Sequence, residues 1–347
     1  MSANRKLRKQ REKLRRKRAR RRDERRFAQR RCSMVEYLLD TSIVRAVPTA
    51  LLKRARAHGL RLLLSPISVW EMLAHFEDGK TPFERCRAWM RQARCCEVID
   101  HPDAEIREAI GVASYIPPEA RIAWQERTGA CAIIEIFSDA ISADDVHGRL
   151  KSFPGNADRT ASCGDVVRQA LERLKKQHAG IVLPVLEAFK AEFRRLGRDP
   201  RDEHALSDRE FFDHVNREVL RIAATADTPT ILKAEARIFE YAFARIGHGL
   251  ETALRLLRAG GQLDLNDYGD ALICNHIDLA GERILVTGDT RVHDALSRAE
   301  ARLRCYVKER GVKTRVSTLV MDRSGFEARI AGSLPNTDTR SYHASVT

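Results

Sequence analysis

The sequence predicts an α/β fold in which a parallel sheet is interrupted by a helical insertion. Apolar, β-rich runs at 35–39, 60–64 and 284–287 each end on polar residues and are followed by segments of helical pattern. Between 101 and 258, apolar residues recur at helical spacing instead. Because alternating strands and helices form parallel sheets covered on both faces, we expect a three-layer α/β/α sandwich whose two pieces flank the insertion.

The first piece of this sandwich is expected over residues 34–100. Its elements are a strand at 35–39, a helix at 41–58, a strand at 60–64, a helix at 82–94 and a short strand at 96–99. Pro48 should interrupt or kink the first helix, because proline lacks an N–H and clashes with the preceding turn. Ser68 is followed three residues later by Glu71, a capping-box pattern that predicts the start of a further helix.

The insertion is expected over 101–261 and the second piece over 262–331. The second piece should contain a helix at 266–280, a strand at 284–287, a helix at 290–301, a strand at 315–321 and a helix at 324–330. Residues 332–347 are polar and are expected to form a flexible tail. Both ends of the insertion attach to the same sheet, so we expect that a Gly/Ser linker in place of 105–258 leaves a folded core.

The positive charge of the chain is confined to its N-terminal arm. The net charge is +14, and residues 1–31 hold 17 Lys and Arg against three acids, which accounts for all of it. Residues 1–33 have almost no apolar side chains, and we expect a disordered basic arm that attracts nucleic acid. A start at Met34, just before the first strand, is an alternative of equal weight.

Several function classes are excluded by missing patterns. The sequence contains no apolar stretch long enough to span a bilayer and no signal-peptide core near its N-terminus, so a cytoplasmic location is expected. Its eight cysteines form no C-x-x-C pair and no zinc-type cluster. A P-loop, a G-x-G-x-x-G motif and an H-E-x-x-H helix are absent. Haloacid-dehalogenase-like phosphatases need an aspartate at position 42, which is Ser42 here.

Four short acidic segments remain as the candidate site. They are LLDTS at 38–42, SVWEM at 68–72, DYGDALI at 267–273 and LVTGD at 285–289. Each acid also has a local explanation, because Asp40 and Asp289 are good helix N-caps and Glu71 fits the capping box. However, two of the acids follow strands, and the carboxyl edge of a parallel sheet is where ligands bind. Carboxylates gathered there need a cation, and Mg²⁺ or Mn²⁺ prefers oxygen ligands.

These segments, in this order, resemble the PIN-domain ribonucleases, the family that includes the VapC-type toxins of bacteria. The resemblance covers 34–99 and 262–331. It implies that the metal ligands and catalytic residues are Asp40, Glu71, Asp270 and Asp289, with Asp267 as an auxiliary ligand and Ser42 and Thr287 in support. Two features depart from the family pattern. Position 291 carries arginine where some members have a further acid, and compact toxin-type members lack the long insertion.

The resemblance implies an endoribonuclease that uses Mg²⁺ or Mn²⁺ to activate water for hydrolysis of RNA phosphodiester bonds. No other cofactor and no membrane association are expected. The alternatives are a non-catalytic RNA-binding or scaffold protein on a PIN fold, and a nuclease directed at DNA. An antitoxin, another protein partner and a homodimer are open alternatives for the partners of the chain.

Overall fold

The structure is a computed structural model, and it describes residues 35–76, 81–102, 104, 127–151, 183–199, 201–202, 205–224, 228–259, 263, 265–279, 283–310 and 316–332. Our predictions for the basic arm 1–33, the start at Met34, most of the tail and the middle of the insertion lie outside these residues. None of the described helices combines the length and the apolar character that crossing a membrane requires.

A five-stranded, wholly parallel sheet lies at the centre of the described chain. Its strands are β1 (Glu36–Leu39), β2 (Arg61–Leu64), β3 (Glu97–Val98), β4 (Arg283–Thr287) and β5 (Val320–Asp322). The strand order is β3-β2-β1-β4-β5. Most residues of β1, β2 and β4 are buried, as expected for strands covered by helices on both faces. The predicted α/β class with a parallel sheet is confirmed.

Helices connect and flank the strands. In the first piece they are α1 (Thr41–Ala46), α2 (Thr49–Ala57), α3 (Pro66–Leu73) and α4 (Pro82–Ala93). The insertion contributes α5 (Arg127–Asp139), α6 (Ala143–Lys151), α7 (183–196), α8 (Asp208–Ala223) and α9 (Thr228–Ala259). The second piece contains α10 (Leu265–Cys274), α11 (Thr290–Glu309) and α12 (Arg323–Ala331).

Several predicted boundaries were wrong by part of a turn or more. Pro48 separates two helices, as expected for a residue without an N–H. The helix expected at 266–280 ends at Cys274 and is followed by turns. The helix expected at 290–301 continues to Glu309, since its apolar stripe extends to Leu303. The strand expected at 315–321 is only Val320–Asp322, and Asp322 also caps α12 by accepting a hydrogen bond from the N–H of Gly325 at 2.7 Å.

The insertion shares one hydrophobic core with the sheet. Buried side chains of α5, α8 and α9 belong to the same continuous cluster as those of the five strands. The long helix α9 packs along α11, and a Cβ added at Gly247 would lie 2.9 Å from Cβ of Ala299. Removing 105–258 would therefore expose apolar surface of the second piece, which argues against our expectation that a linker leaves a folded core.

Candidate functional site

The strand order places a crevice between β1 and β4. The chain steps from β1 to β2 on one side, and later returns to add β4 on the other side of β1. Ligands of open parallel sheets bind where the strand order reverses in this way, outside the carboxyl ends of the strands. Asp40 directly follows β1, and its N–H donates to the carbonyl of Val286 in β4 at 2.9 Å. The site therefore begins at Asp40.

The carboxylate of Asp40 is buried and held by three donors. Oδ1 accepts from the N–H of Thr41 at 2.7 Å, which makes Asp40 the N-cap of α1. Oδ2 accepts from Oγ of Ser42 at 2.6 Å and from Oγ1 of Thr287 at 2.9 Å. The capping role is thus real, but the second oxygen is oriented by hydroxyls from the first turn of α1 and from the last residue of β4.

Those two hydroxyls also bind the backbone of the segment that follows β4. Oγ of Ser42 accepts from the N–H of Gly288 at 2.8 Å, and Oγ1 of Thr287 accepts from the N–H of Asp289 at 3.0 Å. Glycine at position 288 favours this approach, since a Cβ there would lie only 3.2 Å from Oγ of Ser42 and would require a small shift. The hydroxyls predicted to support the acids do contact Asp40, and Thr287 also orients the backbone of Asp289.

Glu71 lies on α3, which begins earlier than predicted. The N-cap of α3 is Ser65, whose Oγ accepts from the N–H of Ile67, and Pro66 occupies the first turn. The predicted capping box at Ser68 is therefore wrong. The first N–H groups of a helix have no partner within the helix, so proline, which has no N–H, is favoured in the first turn. Pro66 thus favours a start at Ser65. The carboxylate of Glu71 instead accepts from Oγ1 of Thr41 at 2.5 Å. Sequence reasoning missed Thr41, although a hydroxyl next to Asp40 was a usable signal.

Asp270, on α10, lies among the other acids. Burial raises its pKa to about 8, with further increases from the charges of Asp40, Asp289 and Glu71, which the charge of Arg291 offsets only in part. Carboxylates that crowd one another in this way cannot all stay ionised without a counter-charge. The structure therefore brings the four predicted acids into one neighbourhood, although they come from four separate elements.

Asp267, three residues earlier on α10, faces a different partner. It is buried, and its Oδ1 accepts from Nη2 of Arg255 on α9 at 2.5 Å. Sequence reasoning missed Arg255, because the helix carries several other arginines and no local pattern distinguishes this one. The insertion thus supplies a cation to the edge of the acidic neighbourhood.

Arg291 provides a second positively charged side chain beside the acids. Its Nη2 donates to Oδ2 of Asp289 at 2.9 Å and lies 3.8 Å from Oδ2 of Asp270, while Nη1 lies 3.9 Å from Oδ1 of Asp267. Burial disfavours ionisation of Asp289, but hydrogen bonds from the Arg291 side chain and backbone outweigh it and leave the pKa of Asp289 lowered. The residue that departs from the family pattern is therefore in contact with the acids.

The side-chain chemistry suits a hard divalent cation, but most of the acids already have partners within the protein. Among the described residues, no group of three or more His, Cys, Asp and Glu side chains is placed so that it could hold a metal ion. Hydroxyls hold Asp40 and Glu71, and guanidinium groups hold Asp289 and Asp267. All of the acids offer the oxygen ligands that Mg²⁺ and Mn²⁺ prefer. A cation would also relieve the crowding that raises the pKa of Asp270.

A serine–histidine pair elsewhere has no catalytic geometry. Nε2 of His276 lies 3.1 Å from Oγ of Ser65, but both side chains are fully buried under the end of β2. A buried pair of this kind cannot meet a substrate, and it joins α10 to the start of α3.

Comparison with protein-family models, with curated proteins and with solved structures finds no match to this chain.

Proposed function

We propose that the chain is a divalent-metal-dependent endoribonuclease of the PIN type. The observation that carries this proposal is the gathering of Asp40, Glu71, Asp270 and Asp289, from four elements, at the point where the strand order reverses. Burial and the other acids raise the pKa of Asp270 there. Perturbed acids of this kind in a crevice are typical of functional sites. The three-layer PIN arrangement, an RNA substrate and a cytoplasmic location belong to the same proposal.

Each acid would be held for the task by its neighbours. Ser42 and Thr287 orient Asp40, and Thr41 orients Glu71, so that both carboxylates are fixed near the end of β1. Hydrogen bonds of this kind fix the direction of metal-binding carboxylates. Bound among these acids, the cation supplies Lewis-acid charge for attack of water on a phosphodiester and for the leaving oxygen. No side-chain nucleophile is required.

Arg291 favours a second candidate function. Its guanidinium contacts Asp289 and lies near Asp270 and Asp267, where it already neutralises part of the acidic charge. A chain that permanently uses an arginine in place of a metal ion would be a non-catalytic RNA-binding or scaffold protein. We rank this reading second, because one guanidinium leaves Asp270 with its raised pKa.

A cleavage assay separates the two. The full chain is incubated with end-labelled RNA and DNA of the same mixed sequence in EDTA, in Mg²⁺ and in Mn²⁺. We expect RNA to be cut with either cation and not in EDTA. Cleavage of DNA alone would correct the substrate class.

Glu71→Gln, purified in parallel, controls for a contaminating nuclease. We expect this variant to be inactive, because the amide lacks the charge that binds the cation. Intact RNA with the wild type under every condition, or equal cutting by the variant, would refute the enzyme and favour the non-catalytic candidate.

A further inference from the structure

A cleft opens beside the acids, between α9 and α11. Its volume is about 150 Å³, and Asp267, Asp270 and Arg291 form the wall that it shares with the acidic crevice. The opposite parts of the cleft are lined by residues that the proposed metal site does not use. Among them are two further arginines, Arg258 on α9 and Arg298 on α11.

Both helices present a continuous face to this cleft. On α9 the lining residues His248, Glu251 and Arg255 recur at spacings of three and four, and on α11 Arg291 and Arg298 are seven residues apart. Seven residues of helix rise by roughly 10 Å. Arg291 and Arg298 are therefore far enough apart to contact different phosphates of one strand.

The cleft also contains a buried polar atom that lacks a partner. His248 is 5% exposed, and its Nδ1 has no hydrogen-bond partner among the described residues. An unsatisfied buried polar atom of this kind costs free energy unless a ligand completes it. Burial lowers the pKa of His248 to about 4, so the ring is neutral at pH 7 and can donate one N–H.

Four arginines and four acids line the cleft, and the arginines divide into an inner and an outer pair. The inner pair, Arg255 and Arg291, contacts the acids of the crevice at 2.5 Å and 2.9 Å. In the outer pair, Arg298 lies 3.7 Å from Glu251, and burial raises the pKa of that carboxyl. The outer arginines are therefore better placed to exchange their contacts for a phosphate.

We propose that this cleft binds the phosphate backbone of an RNA strand, with Arg258 and Arg298 as its phosphate ligands and His248 as a neutral donor. The assignment rests on the proposed function, because it uses the crevice as the point where the same strand is cut. No Phe, Tyr or Trp lines the described walls of the cleft, so bases have no stacking platform there. The contacts are accordingly independent of base sequence.

Salt-dependent binding tests the cleft separately from cleavage. Fluorescence anisotropy of a 12-nucleotide, mixed-sequence RNA is measured with the full chain in EDTA from 50 to 300 mM salt. Log affinity falls as log salt rises, and each phosphate contact that is lost makes this fall less steep by roughly 0.7 for a single strand. We expect this less steep salt dependence for Arg258→Gln and for Arg298→Gln. At low salt, both variants should bind the RNA more weakly than the wild type.

Arg304→Gln is the matched control. Arg304 lies on the same helix, is about as exposed as Arg298 and also pairs with a glutamate, but it does not line the cleft. Equal slopes for all four proteins, or equal losses in all three variants, would overturn the cleft. If only the two cleft variants show a less steep salt dependence, and the wild type never cuts RNA, then RNA binding by the cleft is supported and the proposed nuclease activity is refuted. If the wild type cuts RNA and the slopes agree, only the cleft fails.

Discussion

The two edges of the sheet use their acids in opposite ways. At the amino edge, the first residues of four strands form an alternating row, which we call the amino-edge row. Its members in spatial order are Glu97, Arg61, Glu36 and Arg283. Glu36 forms ion pairs with Arg61 and Arg283, and Arg61 donates to both oxygens of Glu97. Every acid of this row has an arginine in the neighbouring strand.

At the carboxyl edge the charges do not balance. Asp40, Glu71, Asp270 and Asp289 meet there, together with Asp267, and the neighbouring guanidinium groups are those of Arg255 and Arg291. The imbalance appears in the pKa of Asp270, which burial and its acidic neighbours raise to about 8. Acids matched by arginines within a sheet stabilise strand pairing. Acids in excess at a crevice call for a ligand of positive charge.

The largest effect is expected from removing the charge of Asp40, at the carboxyl end of β1. We expect Asp40→Asn to slow RNA cleavage more than ~100-fold, because losing even a supporting contact of a metal site commonly costs 10- to 100-fold. Initial rates in millimolar Mn²⁺ measure it. Glu36→Gln, at the other end of the same strand, should cut as fast as the wild type. The proposed site would be excluded if Asp40→Asn cut RNA at the wild-type rate.

A tenfold effect is expected when Arg291 no longer competes for the acids. Its guanidinium occupies Oδ2 of Asp289 and lies near Asp270, so a cation must displace it. Arg291→Gln should therefore bind Mn²⁺ about tenfold more tightly, a gain of about 1.4 kcal/mol. Electron paramagnetic resonance of free Mn²⁺ gives the affinity, and Arg304→Gln serves as the control. Weaker Mn²⁺ binding by Arg291→Gln would contradict the competition.

The raised pKa of Asp270 predicts a pH-dependent stability in the absence of metal. In the unfolded chain this carboxyl ionises near 3.8, and in the folded chain near 8, so between these values only the folded state holds the proton. Stability from that proton is fully present below about pH 4 and is lost as the pH rises through 8. Asp270→Asn removes this loss. In EDTA, its advantage in Tm over the wild type should be greater at pH 9 than at pH 5 by about 5 °C.

Asp294→Asn controls for the removal of a nearby charge. Asp294 lines the adjoining cleft, and its side chain is 60% exposed. The change should leave the pH dependence of Tm as in the wild type. Parallel curves of Tm against pH for the wild type and Asp270→Asn would show that Asp270 is not crowded by acids.

Local patterns were sufficient for the parts of this site that depend on neighbouring residues. Asp40 and Asp289 follow buried strands and cap the next helices, and both relations are visible in a few consecutive residues. Because each strand is short and apolar, its carboxyl end could be placed to within a residue or two. The start of α3 was missed, since Ser65 and Ser68 both fit an N-cap and Pro66 decides between them.

Contacts between distant segments could not be predicted in the same way. The guanidinium of Arg255 meets Asp267 only because α9 and α10 pack together, and Arg291 contacts acids on two elements. Periodicity identifies the polar face of a helix but not the helix that it faces. The order of the strands was likewise invisible, because it depends on which crossovers return to β1 after the long insertion.

The smallest expected effect is at the amino-edge row, where Glu36→Gln should cost stability alone. Glu36 is 17% exposed and lies between Arg61 and Arg283, so the amide keeps one acceptor oxygen but loses two ion pairs. Partly exposed pairs contribute about 1 kcal/mol or less, which lowers Tm by no more than ~4 °C. Thermal unfolding in EDTA and in Mn²⁺ measures this loss, and the gain in Tm from Mn²⁺ should equal that of the wild type, because the amino edge takes no part in metal binding. A reduced gain would mean that the two edges are coupled through β1, and the separation between a structural and a functional edge would then have to be abandoned.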